Sequence, residues 1–454
     1  MFLDNKTIRR TLSIALPAVG EMVLYMMIWV FDTMMVGKYG GNKAVSTVGI
    51  CSEVLYITLN IFIIAGLSVS AASLVSRSVG AKKLRHAEEY ATVALAAGIF
   101  VSLAIFLAVF LFSEGILRLA GADAYVLGNG VAFLRMASVG MFFYMIMCVL
   151  NGILRGYGNT RTPLAASVIV IIVNLGLDWI LIFGRYGFPE LGITGAAIAT
   201  SSAQVLGFIF ISAYVWRKAL VKPRAYYLLR LDPERLKELA RVSVPSALQE
   251  GAVDGSRLVT AFMIMHMGTV SFAANQITTT IESASFMPGW GFAIAATTLV
   301  GLKVGERDIA GAKEYAYTSA VLGTALMTLC SAVFLLFPQQ LVGLFISGGE
   351  TSVIALGSAC LIIAAIEQPF MAVAMVLGGS LKGSGDARTP FLVSLVSGWC
   401  IRIPLVYSSI FILGLPVTSI WWITALQWIF EASALMLLFR RSIKKYSIAN
   451  KIEQ

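Results

Sequence analysis

Predominantly apolar stretches long enough to cross a bilayer recur twelve times along the chain, near residues 12–36, 48–75, 91–113, 126–152, 163–184, 193–216, 240–266, 271–300, 316–338, 352–380, 390–413 and 416–439. A helix rising about 1.5 Å per residue needs roughly 20 residues to cross a hydrocarbon core about 30 Å thick. Within that core every backbone N–H and C=O must find its partner inside the protein, which favours helices. Charged residues make up 13% of the chain and mean hydropathy is +0.84, whereas a soluble domain carries about 25% charged residues. The expected fold is an all-α polytopic membrane protein with twelve transmembrane helices. The first apolar stretch contains Pro17, Glu21 and Asp32 and has no small-residue cleavage site. It reads as a span, not as a signal peptide.

The chain also repeats itself. Residues 150–164, LNGILRGYGNTRTPL, match residues 377–391, LGGSLKGSGDARTPF, at eight of fifteen positions and an offset of 227. Residues 74–91, LVSRSVGAKKLRHAEEYA, match residues 299–316, LVGLKVGERDIAGAKEYA, at eight of eighteen, offset 225. Pro17 and Pro245 open the first apolar segment of each half, 228 apart. Three matches in order predict two pseudo-symmetric six-helix bundles: residues 1–216, a cytoplasmic linker at 217–241, and residues 242–454. Six spans per half return the chain to the same side, so the repeats are parallel. That pattern is a transporter signature, with the site between the halves. In each turn motif glycine permits φ > 0, Asn159 or Asp386 caps, and proline starts the next helix. The basic residues of the motif are also candidates for gripping lipid phosphates.

The net charge of +10 follows topology. With both termini cytoplasmic, 27 of 34 Lys/Arg fall in cytoplasmic segments, as the positive-inside rule requires. Lys38, Lys43, Arg118 and Arg185 fall outside, and Arg135, Arg257 and Arg402 lie within spans. Nucleic acid is therefore not expected as a partner. The linker, WRKALVKPRAYYLLRLDPERLKELAR, reads as a solvated connector beside anionic lipid. The five cysteines lie singly in apolar segments and read as packing residues. No nucleophile–base set, phosphate loop or metal cluster is visible, and His86 and His266 fall near opposite faces. An enzyme is not expected.

Nine acids fall within spans: Glu21, Asp32, Glu53, Asp178, Glu250, Asp254, Glu282, Glu367 and Glu431. Each costs about 2.5–3.5 kcal/mol at mid-bilayer on insertion scales. Glu53, near the start of its span, and Glu431, on the last helix, read as structural. Asp32 follows ten uncharged residues. Asn174 and Asp178 are four apart on one helical face, and Ala196 and Thr200 show the same spacing on the next helix. Convergence of these helices would gather two carboxylates, a carboxamide, a hydroxyl and a main-chain carbonyl. An all-oxygen set suits Na⁺, and the acids could take a proton instead. The competing reading is a satisfied polar cluster that pins helices together. Glu250, Asp254 and Arg257 share one stripe of the seventh span. Gln249, Glu250 and Glu367 are candidates to face a central cavity, as is Tyr25 in the Met- and aromatic-rich first span.

Pro17 followed fifteen residues later by Asp32 in VFDTMMVGKYG, the LRGYGNTRTP turn with its copy, and the Asn174/Asp178 pair resemble the multidrug and toxic compound extrusion (MATE) family. The resemblance runs over nearly the whole chain and sits within the MOP flippase superfamily. It implies two six-helix lobes opening alternately to the two membrane faces, and export of amphiphilic or cationic organic compounds by antiport against Na⁺ or H⁺. Asp32, Asn174, Asp178, Thr200 and the Ala196 carbonyl look like the cation site of the DinF-like branch. Asn151 matches a position facing the substrate cavity, and Pro17 a proline at which the first helix can bend. Where the NorM-like branch carries second-half acids, this chain has Val253 and Met371.

The implied protein is a monomeric multi-pass antiporter of the plasma (inner) membrane with both termini cytoplasmic. It contacts membrane lipid and uses no cofactor beyond its coupling ion. The alternative is a flippase or exporter of lipid-linked or polysaccharide precursors. Such proteins usually have fourteen spans and a cationic cavity, whereas nine acids against three arginines favour a cationic substrate. A channel is disfavoured, since no filter-like loop appears. The cation set itself is not duplicated. At offsets 227–228 Asn174 maps to Ile401 or Arg402, and Thr200 to Gln427 or Trp428.

Overall fold

The computed structural model describes residues 4–228, 232–346 and 351–452. Linker residues 229–231 and the extreme termini lie outside the described residues. Among the described residues, eleven helices are long and apolar enough to span a membrane: α1 Asn5–Gly41, α2 Lys43–Gly80, α3 Leu84–Leu119, α4 Ala124–Gly156, α5 Arg161–Leu181, α6 Gly192–Lys218, and then α8 Thr269–Gly305, α9 Ile309–Leu336, α10 Thr351–Ser384, α11 Arg388–Ile412 and α12 Thr418–Ile443. Between α6 and α8 lies α7, Pro233–Met265, which is long enough but carries Glu250, Asp254 and Arg257 in its apolar part. The expected twelve helices are present, and the seventh is hidden from hydropathy by its charges.

The helices outrun the apolar segments read from sequence. No loop of any length separates α1 from α2; the backbone breaks at Gly41, whose φ of 63° is left-handed. Backbone angles stay helical through Pro17. Wider π-helical turns interrupt α2 at Asn60–Ser68 and α11 at Val396–Arg402 and Ser408–Ile412.

The chain forms two compact units. One comprises Gly20–Val79 and Lys83–Ser243. In it the described residues of the linker lie against α3. Arg224 pairs with Glu88 at 3.0 Å, Arg235 pairs with Glu89 at 3.4 Å, and the Tyr90 hydroxyl donates to Glu238. The other unit comprises Met1–Val19, Gly80–Lys82 and Val244–Gln454. The start of α1 therefore packs with second-half helices. Thr7 Oγ1 donates to Glu314 at 2.6 Å, and Ile14 and Ala15 join a core with Phe292, Ala295 and Leu299.

The repeated motif is explained by close packing. In G-I-L-R-G, Gly152 and Gly156 form one face of the last turns of α4. A β-carbon on Gly152 would collide with the Ser68 carbonyl of α2, and one on Gly156 would lie 3.1 Å from the Ala72 carbonyl. In G-S-L-K-G, Gly379 and Gly383 of α10 do the same against α8. A β-carbon on Gly379 would lie 2.6 Å from the Ala293 carbonyl, and one on Gly383 would collide with Thr297. Small residues four apart let two backbones approach within hydrogen-bonding range of side chains. Ser68 Oγ accordingly donates to the Cys148 carbonyl at 2.7 Å, and Thr297 Oγ1 to the Gly379 carbonyl at 2.9 Å.

The turn itself follows. Gly158 and Gly385 take φ of 88° and 97°. Asn159 accepts from the Thr162 amide at 3.1 Å, and Asp386 from the Thr389 amide at 3.0 Å, which caps α5 and α11. The basic residues of the motif divide. Arg161 and Arg388 are exposed, but Arg155 and Lys382 are buried at 7% and 8% exposure, so lipid phosphates are not within their reach.

Gly152→Val and Gly379→Val are expected to force α4 from α2 and α10 from α8, each costing about 1–3 kcal/mol. Thermal unfolding of the detergent-solubilised protein measures this. Gly115→Ala, which meets open space, is the control that should leave the midpoint unchanged.

Candidate functional site

Three helices of the first unit bring the sequence-derived acids together. α5 buries Asn174 and Asp178 completely, one turn apart. α6 runs beside α5 and contributes Thr200, with Ala196 one turn earlier and buried. α1 contributes Asp32, which is half-buried. Thr200 Oγ1 donates to Asp32 Oδ2 at 3.2 Å, and Asn174 Nδ2 donates to Thr200 Oγ1 at 3.1 Å. Asp178 and Asn174 are among the nearest polar neighbours of Asp32.

The arrangement is poor in donors. Asp32 Oδ1, both oxygens of Asp178 and Asn174 Oδ1 are buried and have no hydrogen-bond partner. Buried acceptors left unpaired each cost about 1–3 kcal/mol, and charged ones more. Two adjacent carboxylates add mutual repulsion. Chemically, such a set is completed by a cation or by a proton. Its donor atoms are all oxygen, which suits a hard ion.

The cavity candidates fall elsewhere. Tyr25 is half-buried and stacks on Tyr144 of α4, centroids 6.0 Å apart and planes 12° from parallel. Asn151, expected on a cavity wall, is 2% exposed. Its Nδ2 lies 3.4 Å from Glu21 Oε1, which also accepts from Arg155 Nη2 at 2.5 Å. Sequence reading noted Glu21 without assigning it a partner. The signal was present: Asn151 and Arg155 are four apart on one face of α4.

Gln249, Glu250 and Glu367 belong to two polar clusters of the other unit. In the first, Gln249 Nε2 donates to Ser394 Oγ at 3.0 Å, and Ser394 and Ser397 donate to the two carboxylate oxygens of Glu431 at 2.6 and 2.8 Å. Glu431 is 4% exposed, so it is an interior residue bonded on both oxygens. Lys382 neighbours both Glu250 and Glu431. In the second cluster the fully buried Glu367 has Glu282, Arg402 and Arg257 as neighbours. Met371 is packed in an apolar core. The π-helical turn of α11 carries both Ser397 and Arg402, and this could not be read from sequence.

One comparison between halves is informative. At an offset of 228 Arg402 stands where Asn174 does and Trp428 where Thr200 does. Arg402 Nη1 reaches the residue before Trp428, Gln427, at 3.5 Å from Oε1, so α11 and α12 also meet through polar side chains, with a guanidinium where the first half has a carboxamide.

A family model described as MatE matches residues 17–180 and again residues 245–408. The "Probable multidrug resistance protein NorM" of Thermotoga maritima is 28% identical over 445 residues, covering 95% of this chain and 91% of that protein. The "Uncharacterized transporter YisQ" of Bacillus subtilis is 27% identical over 411 residues, covering 90% and 89%. Among solved structures, an outward-facing multidrug resistance MATE family transporter of the MOP superfamily superposes with a TM-score of 0.89 at 20% identity, over 97% of each chain.

Glu431→Ala would leave the Ser394 hydroxyl without its acceptor and Ser397 with only the Ser394 carbonyl, at an expected cost of about 2–3 kcal/mol. Glu431→Gln keeps an acceptor and should cost about 1 kcal/mol. Thermal unfolding of the two variants side by side checks the order.

Proposed function

The chain belongs to the MatE family of membrane transporters, and on that premise we propose that it is a secondary active exporter of amphiphilic and cationic organic compounds. Inward movement of Na⁺ or H⁺ through the set of Asp32, Asn174, Asp178, Thr200 and the Ala196 carbonyl drives it. The protein is a multi-pass integral membrane transporter and not an enzyme. The proposal includes assignment to the DinF-like branch, a monomer in the plasma membrane surrounded by lipid, both termini in the cytoplasm, and no cofactor besides the coupling ion. Relatives named as multidrug resistance proteins support the substrate class.

The observation that carries the reading is the group of four buried acceptor oxygens on Asp32, Asn174 and Asp178 with no donor among the described residues. A cation arriving from outside neutralises the acids and supplies the missing positive charge. Because α1, α5 and α6 each contribute an oxygen, an occupied site draws three helices together and an empty one lets them part. Ion occupancy thereby selects between arrangements of the first unit, and the ion can shift that equilibrium only by its difference in affinity for the two. Substrate leaves outward as the ion moves inward.

The membrane potential is worth about 2.3 kcal/mol per charge per 100 mV. Exchange of one cation for one monovalent drug moves no net charge and gains nothing from voltage. The driving force is then the ion gradient.

Reconstituted protein should expel an organic cation such as ethidium when a Na⁺ or pH gradient is imposed alone, and the two arms identify the ion. Asp32→Asn and Asp178→Asn should reduce export to background while the unfolding midpoint stays near or above wild type. Full export in both variants would refute the site. With ethidium as substrate, a potassium–valinomycin potential should change the rate less than twofold if the exchange is one for one.

A further inference from the structure

The cation set is not the only donor-poor place on α1 and α4. Glu21 is 5% exposed and Asn151 is 2% exposed. Glu21 Oε1 is committed to Arg155 and Asn151. Its other oxygen, Oε2, and Asn151 Oδ1 are buried without a hydrogen-bond partner. Two acceptor atoms of one cluster thus go unpaired beside the Arg155 guanidinium, and each such vacancy costs about 1–3 kcal/mol.

The location is on one ion's route. Glu21 precedes Asp32 on α1 by eleven residues, about 16 Å along the axis. Arg155 lies in the last turn of α4, at the edge of the turn motif assigned to the cytoplasmic side. Glu21 therefore stands between Asp32 and the cytoplasmic end of the same unit. The groups facing it from α4 are Tyr144, Cys148, Asn151 and Arg155.

We infer that Glu21 Oε2 and Asn151 Oδ1 form a second, weaker station for the coupling monovalent cation, occupied after it leaves Asp32 and Asp178 and before it enters the cytoplasm. This rests on the reading of the Asp32 set as the coupling site. Arg155 gives the station its character. Its charge neutralises Glu21, so the carboxylate survives burial while vacant, and the same charge weakens the hold on an incoming cation. A release site must bind well enough to be entered and poorly enough to be left. The second half lacks the station. Lys382 copies Arg155, but Gly378 stands where Asn151 would be. The station, like the Asp32 set, belongs to the first half alone.

The full-length protein in proteoliposomes tests this, with ²²Na⁺ uptake and internal pH read during ethidium efflux. Glu21→Gln and, separately, Asn151→Leu should slow cation-coupled exchange at least tenfold. The shift of the unfolding midpoint caused by added NaCl or by lowered pH, which reads the Asp32 set, should stay within twofold of wild type. If Glu21 and Arg155 only hold α1 against α4, the double variant Glu21→Gln/Arg155→Gln removes both charges and should recover exchange. The station predicts that it remains slow. Recovery in the double variant, or exchange within twofold of wild type in both single variants, overturns the inference. Asp32→Asn separates the two claims: a midpoint shift that survives in that variant removes the coupling-site reading itself, whatever Glu21 does.

Discussion

A carboxylate withdrawn from water persists only beside a positive charge, a set of hydrogen-bond donors, a bound cation or a proton of its own. The interior acids of this chain divide among those solutions. Glu21 has a guanidinium. Glu431 has two serine hydroxyls, with Lys382 nearby. Glu367 lies among Glu282, Arg257 and Arg402. Asp32 and Asp178 have one hydroxyl and one carboxamide beside them, and their remaining oxygens, like both of Glu367, are without a hydrogen-bond partner among the described residues.

The scaffold that holds these acids is duplicated, and the chemistry is not. In each half a pair of glycines four apart locks the fourth helix of the repeat onto the second, backbone against backbone. Each half closes the next turn with a left-handed glycine and an Asn or Asp cap. These contacts depend on shape and on main-chain atoms, so they tolerate change in the polar residues around them. That tolerance allows one half to carry donor-poor oxygens and the other to carry arginines on equivalent helices.

The sequence made the helix count, the repeat and the capped turns legible because each is local: a run of apolar residues, a glycine, an Asn or Asp followed by a proline. The Asp32 constellation was legible because its members sit at helical spacing on α5 and α6. Partners across helices were not. Glu431 read as a structural acid of the last helix, but its partners, two serines of α11, one of them on a π-helical turn without a sequence signature, were not legible. Asn151 read as a cavity residue, yet it is spent on Glu21. The turn-motif Arg155 read as a candidate to grip lipid phosphate, yet it is buried and paired with Glu21 of α1. Nor does hydropathy indicate that α1 up to Val19 belongs with the second-half unit, since packing partners, not apolarity, decide that.

The Arg402–Gln427 pair has a consequence of its own. A guanidinium joined covalently to α11 is a counter-ion that never dissociates. The core of the second unit thus keeps that tethered positive charge at every salt concentration, as the first unit keeps the charge of Arg155 beside Glu21. On the proposed coupling through Asp32 and Asp178, two copies of one unit act as a sensing arm and a reference arm: one half of the bundle answers to an ion and the other holds its charge fixed.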